Sequence, residues 1–168
     1  MWMICIHGSH VVFCFSGGIF LFAIWQHRPA KMIRKYFAAG LEAQVRRTGN
    51  DLHSTLIVFV HGNGLCKSTY RQTIAHLFEI NKYSGALHCV SLDLPGHGTH
   101  EWAGQSLDHF TKLSDFAKPI EEKVNEYCKQ ESFDRKILVA HSISCHMSLF
   151  AQKNLKFDKG WYLAFVKV

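Results

Sequence analysis

The sequence predicts an α/β fold: a mostly parallel sheet with crossover helices. Apolar runs that end in turns predict three buried strands, at Leu56–Val60, Leu87–Leu92 and Ile137–Val139, and a further apolar run begins at Trp161. The strand starts, near residues 56, 87, 137 and 161, leave room for one crossover helix between successive strands. This spacing is typical of a right-handed parallel sheet.

Helical periodicity fills the intervals between these strands. After Ser68, a candidate N-cap, apolar residues recur every three or four positions and share one face. A second pattern starts at Leu113, and Pro119 within it either kinks one helix or marks the first turn of another. A third helix is predicted from Met147 to Leu155. The apolar positions are Tyr70, Ile74, Leu77 and Phe78 in the first pattern, and Leu113, Phe116, Ala117, Ile120, Val124, Tyr127 and Cys128 in the second.

An antiparallel hairpin strand is predicted before the first buried strand. Apolar and polar side chains alternate from Leu41 to Arg46, which predicts one buried face and one solvated face. Residues 38–40 are its expected turn. Because no repeat, low-complexity tract or Pro/Gly/Ser-rich linker divides the chain, we predict two parts: an apolar segment over 1–31 and one domain over 32–168.

The strongest functional signal follows the third buried strand, where residues 140–144 read Ala-His-Ser-Ile-Ser. A serine exposed on a sharp strand-to-helix turn needs small residues two positions before it and two after it. Ala140 and Ser144 are both small, although the usual pattern has glycine at both places. The pattern predicts that Ser142 is a nucleophile; the alternative is a buried serine at a strand end.

A glycine-rich loop, His61-Gly62-Asn63-Gly64, directly follows the first buried strand. Two glycines in four residues allow the chain to turn with its N–H groups facing inward. Such a loop suits an oxygen that becomes negative during acyl transfer. The second buried strand ends in another turn rich in proline and glycine, Asp93-Leu94-Pro95-Gly96-His97-Gly98.

These three motifs, in this order, resemble the α/β-hydrolase superfamily of the serine hydrolase or esterase–lipase type. Its members carry HG-x-G-type, D-x-P-G-x-G and G-x-S-x-G motifs at the carboxyl ends of successive strands. The resemblance covers roughly residues 33–166 and only the N-terminal portion of that fold. It implies that Ser142 attacks an ester or related acyl carbonyl, and that the backbone N–H groups of Asn63 and Ile143 stabilise the oxyanion. It also places a small-molecule acyl substrate beside His61, Gly62, Gly64 and His141.

The resemblance also implies that catalytic groups are missing. The family's full sheet has eight strands and its acid and histidine follow later strands, so we expect a domain that lacks the C-terminal strands and is truncated before both residues. Removing the base from such a triad costs about 10⁴ to 10⁶ in kcat. His61, His97 and His100 are the candidate substitute bases. The alternative function is a catalytically inactive remnant that acts as a binding or interaction module.

The amino terminus suggests a membrane anchor. Residues 1–25 contain no charged side chain, and a helix of that length would extend about 37 Å, which exceeds a hydrocarbon core of about 30 Å. Basic residues over 28–47 would keep the folded domain on the cytoplasmic side and contact lipid. The alternatives for residues 1–25 are an extension outside the fold, a buried strand or a signal peptide. The alternative location of the folded domain is the cytoplasm, and the alternative role of the basic cluster is a solvated linker.

Composition excludes several classes of function. The cluster over 28–47 supplies most of the formal net charge of +6, so the basic character does not indicate a nucleic-acid partner. Six cysteines without tight pairing agree with a reducing compartment. We predict neither cofactor nor metal site, since the His97/His100 and His141/Cys145/His146 groups need not converge. A nucleotide-binding fold is disfavoured by the missing third glycine. The apolar edge strand over 161–166 is a candidate for self-association.

Overall fold

The structure is a computed structural model that describes residues 3–7, 10–15, 18–20, 31–37, 40–48, 53–80, 85–99 and 108–163, the first four ranges at the level of the backbone. Three short strands come first and form an antiparallel sheet in the order β1-β2-β3. They are β1 (Met3–His7), β2 (His10–Phe15) and β3 (Gly18–Phe20).

A six-stranded sheet in the order β4-β5-β7-β6-β8-β9 forms the main domain. Its four strands β7, β6, β8 and β9 are parallel, and β5 and β4 continue the sheet as an antiparallel hairpin. The predicted mostly parallel α/β fold is therefore confirmed. The strands are β4 (Lys31–Phe37), β5 (Leu41–Thr48), β6 (Ser54–Val60), β7 (Gly85–Leu92), β8 (Arg135–His141) and β9 (Lys159–Leu163).

Each of the four parallel strands begins two residues before its predicted start. The extra residues are mainly polar or glycine, as at Ser54-Thr55 and Arg135-Lys136. Main-chain pairing continues through such residues regardless of side-chain polarity, because the ladder uses only N–H and C=O groups. Hydropathy marks the buried part of a strand and misses its paired polar ends.

Helices cover both faces of this sheet. The first is α1 (Arg71–Ile80), preceded by a 3₁₀ turn over Lys67–Tyr70; the second is α2 (Ala117–Cys128), preceded by a 3₁₀ turn over Leu113–Phe116; the third is α3 (Ser144–Leu155). Pro119 lies in the first turn of α2. Because N–H groups in the first turn of a helix have no acceptor within the helix, the lack of an N–H at proline breaks no helical hydrogen bond there, and Pro119 does not kink the helix.

Strand β6 shows how the core divides. Leu56, Val58 and Val60 face α2 and α3, whereas Ile57 and Phe59 face α1 on the other side of the sheet. Neighbouring residues of a strand point to opposite faces, so a strand buried on both sides needs a continuous apolar run. This arrangement holds the carboxyl end of β6, and the loop that follows it, rigidly at one edge of the core.

One prediction about β5 is wrong. Glu42 and Gln44, expected on a solvated face, are each 1% exposed. Arg71, the first residue of α1, covers that face and forms hydrogen bonds of 3.0 and 2.8 Å to Glu42 Oε2. Alternation along one strand shows that its two faces differ, but it does not show whether a helix covers the polar one.

The predicted membrane helix over 1–25 is also not what the structure shows, because the described parts of that segment are the strands β1 to β3. No helix in the part of the chain that the structure describes combines the length and the apolar character that a bilayer-spanning helix requires. Within the basic cluster, Arg47 forms an ion pair of 3.0 Å with Glu131.

Candidate active site

Ser142 lies on the turn between the last residue of β8 and the first residue of α3. Its side chain is exposed, and its φ of +60° places a non-glycine residue in the left-handed region. That conformation costs about 1 to 2 kcal/mol for an L-residue, and such strain is concentrated at functional sites. The strand-to-helix turn that the sequence predicts is therefore present, with its serine presented to solvent.

The glycine-rich loop after β6 lies directly against this turn. A Cβ atom added to Gly62 would lie 2.9 Å from the Ser142 Cβ and 2.9 Å from His141 Nδ1. Real Cβ atoms do not approach other atoms so closely, so only glycine allows the loop to come this near to the serine. The structure thus brings Gly62, His141 and Ser142 together.

Among the described residues, two backbone N–H groups next to this contact remain available, because Asn63 follows Gly62 and Ile143 follows Ser142 in the chain. Those of Asn63 and Ile143 donate no hydrogen bond to any described residue, and both residues are exposed. The N-terminus of α3 begins next to Ile143, so the partial positive charge of the helix dipole adds to these donors. Free N–H groups of this kind can bind an oxygen that carries negative charge.

His61 does not lie where the sequence placed it. We predicted contact with substrate, but the side chain is 0% exposed. Its Nε2 accepts the Leu94 N–H at 3.0 Å, which leaves the proton on Nδ1, 2.8 Å from the Gly62 carbonyl oxygen. Burial lowers the pKa of His61 and outweighs the Gly62 hydrogen bond, which raises it. The neutral ring therefore joins the loop after β6 to the loop after β7.

His97 supports the same loop from outside. Its Nε2 lies 3.4 Å from the Gly64 N and 3.2 Å from Asn63 Oδ1, and its Nδ1 lies 3.0 Å from the Pro95 carbonyl oxygen. The N–H of Gly64 therefore has a partner, whereas that of Asn63 does not. His100, the remaining candidate base, lies outside the described residues.

Asp93 anchors the loop after β7 through a fully buried carboxylate. It accepts the backbone N–H groups of Lys67 at 2.7 Å and Thr99 at 2.8 Å, and it pairs with the Lys67 ammonium. Burial alone would raise the pKa of Asp93, but the Lys67 and Thr99 donors together lower it below its usual value. The sequence identified the Asp93 turn but offered no signal that Lys67 and Thr99 would be its partners.

Asp93 makes stability depend on pH. Because its pKa is lower in the folded state than in the unfolded state, its contribution is present above the unfolded pKa of 3.8 and is lost as pH falls through the folded value. We expect Asp93→Asn to destabilise the protein by about 1 to 3 kcal/mol at neutral pH and to flatten the acid limb of a urea-unfolding series. An acid limb as steep as in wild type would contradict this assignment.

Among the described residues, no group of three or more His, Cys, Asp or Glu side chains is arranged to hold a metal ion. Cys145, the second residue of α3, is 4% exposed and Cys89 is fully buried, whereas Cys128 is only partly buried. Burial raises the pKa of the Cys145 thiol.

The sequence of the main domain matches a family model described as the alpha/beta hydrolase family, over residues 57–165. The chain belongs to the α/β-hydrolase family. None of the curated proteins is similar enough in sequence to count as a match.

Several solved hydrolase structures have a similar fold. The peroxisomal α/β-hydrolase Lpx1 of Saccharomyces cerevisiae is 14% identical with a TM-score of 0.53, and the match covers 79% of this chain and 42% of Lpx1. A CIB-like hydrolase from Thermoplasma acidophilum is 16% identical with a TM-score of 0.52, covering 82% and 66% of the two chains. A hydrolase from Oleispira antarctica is 16% identical with a TM-score of 0.51, covering 70% and 38%. The α/β-hydrolase chain described here thus spans less than two thirds of each.

Proposed function

We propose that this α/β-hydrolase is a serine hydrolase that acts on an ester or a related acyl bond of a small molecule, with Ser142 as its nucleophile. The observation that carries the proposal is the left-handed φ of +60° at an exposed serine between β8 and α3. A buried serine at a strand end, the alternative reading of the sequence, would have neither the exposure nor the backbone strain.

The free N–H groups support an acyl-transfer mechanism. Ser142 Oγ attacks the carbonyl carbon, and the carbonyl oxygen gains negative charge between the N–H groups of Asn63 and Ile143. The serine proton passes to a base and then to the departing alkoxide, which leaves an acyl-enzyme. Water then attacks the acyl carbon, releases the carboxylic acid and restores the Ser142 hydroxyl.

The base is not among the contacts described. No described residue forms a hydrogen bond with the Ser142 hydroxyl, and the substitute His61 has both ring nitrogens hydrogen-bonded to the backbone. The proposal therefore assigns the nucleophile and the oxyanion donors, and it assigns Gly62, Gly64 and His141 to the wall beside the substrate.

A fluorophosphonate probe tests the proposal, because it phosphonylates activated serines. We expect the native full chain to form an adduct. After trypsin digestion, mass spectrometry should find the adduct on the peptide spanning residues 137–153, and the fragment ions of that peptide should place it on Ser142. Heat-denatured protein is the control, since its serines have no oxyanion donors. Ser132, exposed in the loop before β8, is an internal reference. Equal labelling of Ser132 and Ser142, or none at all, would overturn the proposal.

One feature favours the alternative, a catalytically inactive interaction module. On β9, which among the described strands pairs only with β8, Trp161 is 63% exposed and Leu163 is 51% exposed. Exposed apolar side chains on an outer strand are suited to pairing with another chain. Two results together would favour the interaction module: no fluorophosphonate labelling, and a sedimentation coefficient that rises with protein concentration. The second result would also support the predicted self-association through this strand.

A further inference from the structure

Ser144 stands where the family pattern has glycine, and its side chain is fully buried at the start of α3. A glycine there would meet the requirement for a small residue. The hydroxyl is therefore an addition, and its three close oxygen and nitrogen neighbours show what it joins.

The Ser144 hydroxyl connects β6 with β8 at the point where their pairing ends. The last registered pair of these strands is Val60 with Ala140. One residue further, Ser144 Oγ accepts the His141 N–H at 3.0 Å and lies 2.9 Å from the Val60 carbonyl oxygen. Its single proton is shared between that oxygen and the His141 carbonyl oxygen at 2.8 Å. The side chain thus adds a bridge where a direct main-chain bond would otherwise be expected.

Both ends of this bridge lead directly into the candidate site. Val60 precedes the glycine-rich loop, and His141 precedes Ser142. The Val60 carbonyl is also held from the opposite face of the sheet by the Tyr70 hydroxyl at 3.1 Å. The end of β6 is therefore fixed from both faces, by the first residue of α3 and by the residue before α1.

We propose that Ser144 is a positioning residue that sets the distance between Ser142 and the oxyanion donor of Asn63. This proposal rests on the proposed function of Ser142. The space between the loop and the serine is too small for a methyl group, because a Cβ atom added to Gly62 would lie 2.9 Å from the Ser142 Cβ. An oxyanion donor must lie about 2.7 to 3.1 Å from the developing charge, and a misplacement of about 1 Å can cost about 100-fold in rate.

The chain provides a matched control on the same helix. Ser148 lies one turn further along α3 and is also fully buried, and its hydroxyl has no hydrogen-bond partner among the described residues. Ser148→Ala and Ser144→Ala remove the same atom from the same helix at the same burial. Only the second change removes a link between β6 and β8, and the Tyr70 bond to Val60 remains in both variants.

The test measures two quantities on full-length wild type, Ser144→Ala and Ser148→Ala. The first is the second-order rate of labelling by a fluorophosphonate, normalised to folded protein. We expect Ser144→Ala to slow labelling by at least about tenfold. The maximal rate of labelling should fall, whereas the probe concentration that gives half of that rate should not change. We expect Ser148→Ala to label at the wild-type rate. Equal rates for the two variants would overturn the proposal.

The second measurement is made by NMR and has two parts. One is the nuclear Overhauser effect between the Gly62 Hα and Ser142 Hβ protons, which reports the contact between them, and the other is the rate of amide hydrogen exchange at His141. We expect Ser144→Ala to weaken the contact and to speed His141 exchange by at least about tenfold, and Ser148→Ala to leave both unchanged. Absence of labelling in wild type would overturn the proposed function. The NMR measurements would still decide whether Ser144 sets the distance between the Gly62 loop and Ser142. An unchanged contact in Ser144→Ala would refute the positioning role even in an active enzyme.

Discussion

Replacing Ser142 with alanine is expected to abolish fluorophosphonate labelling. In a protein that has the nucleophile together with its base and acid, the same change should reduce the rate of ester hydrolysis by about 10⁴ to 10⁶. The expectation follows from the role of Ser142 Oγ, which forms the covalent bond in the first step. Folding stability should stay within about 0.5 kcal/mol of wild type, because the exposed hydroxyl makes no hydrogen bond to a described residue. Intact mass after labelling and urea unfolding measure the two effects.

Ser142→Gly separates the chemical role from the backbone strain. Glycine removes the nucleophile as alanine does, but it adopts a φ of +60° without the penalty of a Cβ atom. We expect this variant to be unlabelled and more stable than Ser142→Ala by about 1 kcal/mol. Ser132→Ala, a change at an exposed serine away from the turn, should label and unfold as wild type does. Retained labelling in either Ser142 variant would show that the nucleophile lies elsewhere.

Replacing Arg71 with alanine is expected to destabilise the protein by about 2 to 3 kcal/mol. Glu42 is 1% exposed, and Arg71 binds both of its carboxylate oxygens, at 3.1 Å for Oε1 and 2.8 Å for Oε2. Without the guanidinium, the carboxylate remains buried with the Gln44 amide at 3.3 Å. The figure lies below that for a fully enclosed pair because Arg71 is about half exposed, so water can reach the space it leaves.

The control for Arg71→Ala is Lys118→Ala. Lys118 pairs with Glu122 at 3.8 Å, and both side chains are well exposed, so the loss should be about 0.5 kcal/mol or less. Adding Glu42→Gln to Arg71→Ala removes the buried charge and should restore part of the stability. Chemical denaturation of the four proteins measures these differences. Equal losses for Arg71→Ala and Lys118→Ala would mean that Glu42 is solvated.

The sequence predicted the central strands β6 and β7 well because both are buried on both faces. A strand such as β6 must carry apolar side chains at every position, and that requirement is visible as a continuous run from Leu56 to Val60. The helices were equally visible, because one apolar face recurs every three or four residues. The residues that cap the helices were harder to predict. Ser68, the expected N-cap of the first helix, lies inside the 3₁₀ turn before α1.

Contacts between elements distant in sequence were not predictable in the same way. The burial of Glu42 depends on Arg71, which lies 29 residues further along the chain. The burial of His61 depends on the Leu94 N–H, which belongs to another loop. No local pattern of polar residues carries this information, since a polar side chain can be solvated, paired or ligand-binding in the same sequence context. The sequence therefore predicts a solvated Glu42 and a substrate-facing His61, whereas both side chains are buried.

The sequence by itself determined the α/β architecture, the order of the three motifs and the placement of Ser142 on a strand-to-helix turn, because hydrophobic period and turn chemistry are local properties of the chain. Only the tertiary structure decided that Gly62 lies against Ser142, that His61 is a buried brace between loops, and that the Ser144 hydroxyl joins β6 to β8. These relations exist only after parallel strands pair, because pairing brings together carboxyl ends that are about 80 residues apart.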